Sequence, residues 1–342
     1  MDRLKKYKLS VINKLTNNYN KNISALKNKL TINIKYIHSL KIASSKKAGY
    51  IINYISNYNR VVNKLKKRLY YNIKQIQLSR IAQQSITRQN KSALLIGINY
   101  LNTSNELQGC INDANIIKDF LKNKYNYKNI TLLTDYTNKK PTKHNILTEF
   151  TKLMTNAISG DTIVFFYSGH GINSVDLNGY EPDGKNEFIV PLDANTPDDC
   201  IMDDELTASI QLNLKSGVTL YAIFDSCFSG TIIDLKYQYF DTLNGGNNTT
   251  NNEIQDTLGQ VYLVSGCDDS QTSVDATFRV GKKIYHDGAL TFAFIKTMTS
   301  SNMSFANIIE NMRTFLLNEN FTQIPQLSSG QSMVPNTCIF AL

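Results

Sequence analysis

From residue 91 onward the sequence alternates short apolar runs with amphipathic stretches, and that alternation restricts the chain to few folds. The runs are SALLIGI (92 to 98), NITLL (129 to 133), DTIVFFYS (161 to 168), EFIVPL (187 to 192), VTLYAIF (218 to 224) and VYLVSG (261 to 266). Segments this short and this apolar suit buried strands, and the stretches between them carry helical spacing. Helices are expected at 110 to 124, 142 to 158, 203 to 214, 288 to 299 and 304 to 318, with TCIFAL (337 to 342) as a final edge strand. Strands and helices in turn are the pattern of an α/β domain with a mostly parallel central sheet. NGGNNTTNNE (244 to 253) is polar and rich in Gly and Asn, so a mobile loop is expected near 241 to 256. No repeat with a period of roughly 20 to 50 residues is visible.

Residues 1 to 90 have a different texture. They hold 20 Lys or Arg and a single acid, Asp2, and carry +19, whereas 91 to 342 carry −10. The net charge of +9 therefore conceals two bodies of opposite sign. Apolar residues recur at Ile23, Leu26, Leu30, Ile37 and Leu40, interrupted by Asn33. A second stripe follows at Ile51, Ile55, Tyr58, Val62, Leu65, Leu69, Ile73 and Ile76. Three-four spacing of this kind predicts two helices, and Gly49 between the stripes marks the expected turn of an antiparallel hairpin. Nothing in this region codes for catalysis. Its charge suits RNA, DNA or an acidic membrane surface, or contact with the acidic remainder of the same chain; a solvated basic face on two packed helices reads the same way.

Five cysteines, Cys110, Cys200, Cys227, Cys267 and Cys338, form no CxxC pair and are odd in number, which argues against a disulfide framework and a zinc ribbon. No run approaches the roughly 18 apolar residues of a membrane span, and the first residues lack a secretory h-region. An intracellular, reducing and cytoplasmic setting is expected.

Two loops sit where an open α/β sheet places its ligand site, beyond the carboxyl ends of strands. YSGHG sets His170 just past one strand, and FDSCFSG sets Cys227 just past another. A lone histidine or a lone cysteine there is usually structural, but the two together at equivalent positions make a nucleophile and its base. A free thiol, with a pKa near about 8.5, is mostly protonated at neutral pH, and a neighbouring imidazole raises the reactive fraction. Gly169 and Gly171 let backbone approach a reacting carbonyl, and the N–H groups of Gly171 and Cys227 are placed to receive an oxyanion. No third, orienting residue is evident. The HExxH, GxSxG and GxxxxGK[ST] templates are all absent.

KSALLIGINY, LQGCINDA, PTKHNI, GDTIVFFYSGHG, the DEL after IMD, FDSCFSGTIIDL, VYLVSGCDDSQTSVDA, GALTFAFI and QIPQLSSG occur in that order across nearly all of 91 to 342. This series resembles a type I metacaspase. The resemblance implies a caspase-like α/β/α sandwich over 91 to 342, preceded by a prodomain-like basic helical region over 1 to 90. It also implies a monomeric, calcium-activated Cys/His peptidase that cleaves protein substrates after Arg or Lys.

Carried over by motif, His170 matches the catalytic histidine and Cys227 the nucleophile. Asp113 and Asp225 match the acids that receive a basic P1 side chain, with Ser168 and Cys110 lining the same pocket. Two carboxylates in a cleft repel each other and stay ionised most easily with a guanidinium or ammonium between them. Asp113 at a helix start and Asp225 in a turn also admit a purely structural reading.

For calcium, which takes six to eight oxygen ligands, Asp203 and Asp204 resemble the family's adjacent acids and Asp234 adds a further oxygen. Asn186 stands where the family usually has an aspartate, so one ligand becomes a neutral amide. Acids at a helix start are also favourable to its dipole without any metal. Phe228 replaces a common histidine after the nucleophile, and Lys236 replaces a usual proline. Lys236, Arg88 and Lys91 are candidate self-cleavage sites. The expected outcome is limited proteolysis, self-processing included, in stress or cell-death pathways. The reading from another class is a non-proteolytic module acting through its basic N-terminal helices.

Overall fold

The computed structural model describes residues 2–78, 90–175, 185–227, 230, 232–240, 248–251, 254–266, 275–280, 283–298, 303–335 and 342. The chain divides into two compact units, Met1–Ser85 and Ile86–Leu342.

The first unit is a pair of helices, α1 (Asp2–Ser39) and α2 (Ser44–Leu78), packed against each other. Ile37 is buried in the seam, flanked by half-buried Ile23, Leu26, Leu30, Ile51, Tyr58, Val62 and Leu65. Ile55 is 40% exposed and so stands outside the seam expected to include it. The turn also falls earlier than expected, at 40–43, and Gly49 lies inside α2. The reason is capping: at the end of α1 the Tyr36 carbonyl accepts Ser39 Oγ at 2.7 Å and the His38 carbonyl accepts Lys47 Nζ at 2.9 Å. Gly49 is tolerated in an exposed helix at a cost of about 1 kcal/mol relative to Ala.

The second unit carries strands β1 (Lys91–Gly97), β2 (Asn129–Thr134), β3 (Thr162–Ser168), β4 (Gly171–Val175), β5 (Lys185–Ile189), β6 (Ile201–Met202), β7 (Thr219–Asp225), β8 (Tyr237–Gln238), β9 (Thr249–Thr250), β10 (Gln260–Ser265), β11 (Asp275–Val280), β12 (Lys283–Gly288) and β13 (Gln326–Ser329). Its helices are α3 (Cys110–Tyr125), α4 (Lys143–Asn156), α5 (Asp203–Asn213), α6 (Ala289–Thr297) and α7 (Phe305–Asn318). The main sheet runs β2-β1-β3-β7-β10-β13-β8-β9. The five strands from β2 to β10 are parallel, and the last three add antiparallel. This is the expected α/β sandwich.

Two-residue periodicity sends alternate side chains of each central strand to opposite faces. Ala93, Leu95, Val164, Phe166, Tyr221 and Ile223 meet α3, α6 and α7 on one face. Leu94, Ile96, Ile163, Phe165, Leu220, Ala222 and Phe224 meet α4 and α5 on the other. Every residue of β3 is buried, which is why its sequence shows no polar alternation.

Three expectations change. EFIVPL does not join the main sheet: β5 pairs with β4 and β6 in a separate three-stranded sheet. Pro191 offers no N–H to a ladder, and the Val190 N–H is committed to the His170 carbonyl at 3.1 Å. Within the expected mobile loop, β9 pairs with β8, and Asn251 N–H donates to the Lys236 carbonyl at 2.8 Å. The β11–β12 hairpin forms its own two-stranded sheet where no strand was expected. TCIFAL lies outside the described residues apart from Leu342.

Candidate active site

Strands β3 and β7 are neighbours in register, with Ser168 opposite Asp225. His170 and Cys227 each lie two residues beyond that pair, so the parallel register delivers both to one end of the sheet. Both are partly exposed. The strand ends touch directly, since a Cβ on Gly171 would lie 2.1 Å from the Cys227 carbonyl oxygen. Only a glycine permits that approach.

His170 is held from several sides. Its Nε2 lies 2.7 Å from the Asn105 carbonyl oxygen. A carbonyl only accepts, so Nε2 carries the proton and Nδ1 is left as the proton acceptor. Its main-chain N–H donates to the Tyr100 hydroxyl at 2.9 Å, and its carbonyl accepts from the Tyr167 hydroxyl at 2.8 Å. The Tyr100 and His170 ring centroids are 4.6 Å apart at an interplanar angle of 35°. Burial pushes the ionisation of both tyrosines far upward, so they remain neutral hydroxyls.

Three of the nominated pocket residues, Ser168, Asp113 and Asp225, come together. Ser168 Oγ donates to Asp113 Oδ2 at 2.7 Å. The main-chain N–H of Gly288 reaches the same carboxylate, 2.9 Å from Oδ1 and 3.1 Å from Oδ2. Asp225 Oδ2 accepts the main-chain N–H and the hydroxyl of Thr291, each at 2.8 Å. A Cβ on Gly288 would stand 2.2 Å from Asp225 Oδ2 and 2.8 Å from Asp113 Oδ2. The two carboxylates thus face each other across the space of one methyl group. Exposure is 0% for Asp113 and 4% for Asp225. Cys110 is buried at the first residue of α3, three residues before Asp113 on the same helix.

Residues 91–236 match the family model for the metacaspase, peptidase C14 domain. Metacaspase-1 of Meyerozyma guilliermondii is 36% identical over 290 residues, which cover 70% of this chain and 69% of that protein. The chain belongs to the type I metacaspases. Metacaspase-1 of Saccharomyces cerevisiae is 34% identical over 306 residues, covering 74% of this chain and 69% of its own. Metacaspase-2 of Arabidopsis thaliana is 36% identical over 236 residues, covering 66% and 56%. A solved protein from Geobacter sulfurreducens, 22% identical, shares the fold with a TM-score of 0.54 over 74% of this chain and 97% of its own. This metacaspase is therefore a caspase-like cysteine peptidase. Among the described residues no helix is long and apolar enough to cross a membrane.

The residues nominated for calcium gather at one end of α5. Asp203 is fully buried; its Oδ2 accepts the Glu187 N–H at 2.8 Å and its Oδ1 the Asp204 N–H at 2.6 Å. Burial pushes its pKa up to about 6, against the opposing pull of those hydrogen bonds. Asn186 precedes Glu187 on β5, and Asp234 N–H donates to Thr207 Oγ1, one helical turn from Asp203, at 3.0 Å. Both Asp203 oxygens are thus engaged by main chain. Among the described residues no group of three or more His, Cys, Asp or Glu side chains is arranged to hold a metal ion.

Of the self-cleavage candidates, Lys236 pairs with Asp256 at 2.9 Å and precedes β8. Lys91 opens β1 in the central sheet, and its Nζ donates to the Leu342 carbonyl at 2.7 Å. Arg88 and Phe228 lie outside the described residues. Sequence reading missed Asn105, Tyr100, Tyr167, Gly288 and Thr291. Asn105 acts through its carbonyl, which leaves no side-chain signature; the glycine of GALT was the one visible signal.

Proposed function

We propose that this peptidase cleaves proteins after Arg or Lys, with Cys227 as nucleophile and His170 as base. The observation that carries the proposal is the pair of buried carboxylates, Asp113 and Asp225, converging on Gly288 beside the strand end that bears Cys227. Two neighbouring carboxylates repel each other, and the guanidinium or ammonium of a P1 residue offsets that repulsion. A neutral P1 residue brings no charge to meet theirs, which disfavours it by about 10,000-fold where a site is built for polar recognition.

In the proposed reaction the Cys227 proton passes to His170 Nδ1 and the thiolate attacks the carbonyl carbon of P1. The N–H groups of Gly171 and Cys227 receive the oxyanion. The C–N bond breaks as the imidazolium returns the proton to the leaving amine. Water, deprotonated by His170, then hydrolyses the thioester and regenerates the thiol. The Asn105 carbonyl serves as the orienting partner that fixes the imidazole tautomer.

Calcium is proposed as an activator at Asp203, Asp204, Asn186 and Asp234; each Asp203 oxygen accepts one main-chain N–H and keeps a lone pair for a cation. Hard oxygen ligands of this kind suit calcium. Limited proteolysis in stress or cell-death pathways, self-processing included, is the proposed biological setting. A second reading concerns residues 1 to 90, whose +19 charge supports contact with RNA, another acidic surface or the acidic remainder of the chain.

The test uses fluorogenic peptides ending in Arg, Lys or Asp, with calcium and with chelator, beside Cys227→Ala. Cleavage confined to Arg and Lys and abolished in Cys227→Ala is expected; cleavage that survives in Cys227→Ala sinks the mechanism. Calcium titration by calorimetry of wild type and Asp203→Asn reads binding apart from turnover. Deleting 1 to 90 raises basal activity if the region inhibits. RNA binding that falls steeply with salt favours the second reading.

A further inference from the structure

We propose that Tyr100 is a positioning residue for the histidine of this peptidase, an inference that rests on His170 acting as the base. Each polar main-chain group of His170 ends on a tyrosine hydroxyl: its N–H on Tyr100 at 2.9 Å and its carbonyl on Tyr167 at 2.8 Å. The two hydroxyls are 3.1 Å apart, and Tyr100 donates its own proton to the Val190 carbonyl at 2.7 Å. A Cβ on Gly169 would fall 2.7 Å from one hydroxyl and 2.9 Å from the other, so the loop is pressed onto the pair.

Tyr100 also reaches the imidazole itself. Its ring lies 4.6 Å from the histidine ring, and the Asn105 carbonyl that accepts from Nε2 belongs to the same loop. That loop is rigidly seated. Asp135 Oδ2 accepts the Asn99 N–H at 2.9 Å and Oδ1 the Leu101 N–H at 3.1 Å, one on each side of Tyr100. A single loop therefore sets His170 at its backbone, at its ring face and at Nε2.

The backbone argues that the side chain is needed. Tyr100 has φ +53°, in the left-handed region that costs a bulky residue about 1 kcal/mol or more and that Gly or Asn would enter more easily. Both the ring and the hydroxyl of this strained tyrosine are engaged with His170. Because burial holds the hydroxyl neutral, it donates and accepts across the working pH range.

The experiment compares full-length wild type with Tyr100→Phe, Tyr167→Phe, His170→Ala and Cys227→Ala. Two readouts are taken: kcat and KM on an Arg peptide, and the rate of iodoacetamide alkylation of the Cys227 peptide between about pH 5 and 9, followed by mass spectrometry. His170→Ala should lose alkylation at acid pH. Tyr100→Phe, which keeps the ring and drops the hydroxyl, should shift the alkylation profile toward that of His170→Ala. It should lower kcat about 10- to 100-fold, with KM within about 2-fold. A wild-type profile and kcat in Tyr100→Phe overturn the inference. If that variant does not fold, Tyr167→Phe must show the same shift, and a wild-type profile there overturns it equally. If His170→Ala itself alkylates and cleaves like wild type, the parent reading fails instead, so the two failures are told apart.

Discussion

The main-chain N–H of Gly288 donates to Asp113 Oδ1 at 2.9 Å, joining residues 175 positions apart. That bond ties the end of β12 to the first turn of α3. Thr291, in the first turn of α6, ties the same region to Asp225 on β7. The acidic pair is thus a cross-brace among four elements, α3, β7, β12 and α6, and each brace can be cut separately.

Gly288→Ala would put a methyl group into the space between the two carboxylates. We expect kcat/KM for Arg peptides to fall about 100-fold, while Cys227 alkylation is unchanged. Steady-state kinetics beside alkylation checks it; unchanged kcat/KM refutes the pocket.

Thr291→Val deletes the hydroxyl donor to Asp225 and keeps the main-chain one. Removing one hydrogen bond to a buried charge costs about 1.5–3 kcal/mol, or roughly 10- to 100-fold in kcat/KM for basic substrates. Thr291→Ser should restore most of it. Equal activity in Val and Ser variants would show that the hydroxyl is idle.

Gly171→Ala places a Cβ against the Cys227 carbonyl and must separate the two strand ends. Because the proposed reacting atoms and oxyanion donors shift together, kcat should drop by about 100-fold or more, with a smaller change in KM. Single-turnover kinetics on the variant gives the answer.

Phe165→Ala probes the fold independently of chemistry. Phe165 is fully buried between Phe150, at 4.6 Å between ring centroids, and Phe224, at 5.4 Å. The cavity should cost about 3–5 kcal/mol, lowering the Tm by roughly 10 °C. Calorimetry of the folded variant measures it.

The central strands were legible because burial on both faces writes itself as unbroken apolar runs, as Ile163 to Tyr167 do. The β11–β12 hairpin was not, since its two strands form a sheet apart and DATFRV and KIYHDG contain no apolar run. The helical turn was misplaced to Gly49 because a glycine reads as a break, whereas the Lys47 contact to His38 that closes α1 leaves no local pattern. The roles proposed for His170 and Cys227 are side-chain roles within motifs and so could be named in advance. Asn105 meets the histidine through a carbonyl that any residue would supply, and Tyr100 meets it through a fold-dependent contact between two loops.

Lys236 sits where the chain enters the edge of the main sheet. Its carbonyl accepts the Asn251 N–H at 2.8 Å, and the next residue, Tyr237, is paired on both sides, with Ser329 and with Thr250. A protease must draw a stretch of extended backbone into its cleft, so a cut after Lys236 has to wait until this edge opens. When opening and reclosing are fast, the observed rate scales with the small open fraction; when cleavage outpaces reclosing, it becomes the opening rate itself. Processing at this bond is then a clock set by the substrate's own breathing, the same clock whether the cutting thiolate lies in that chain or in another molecule.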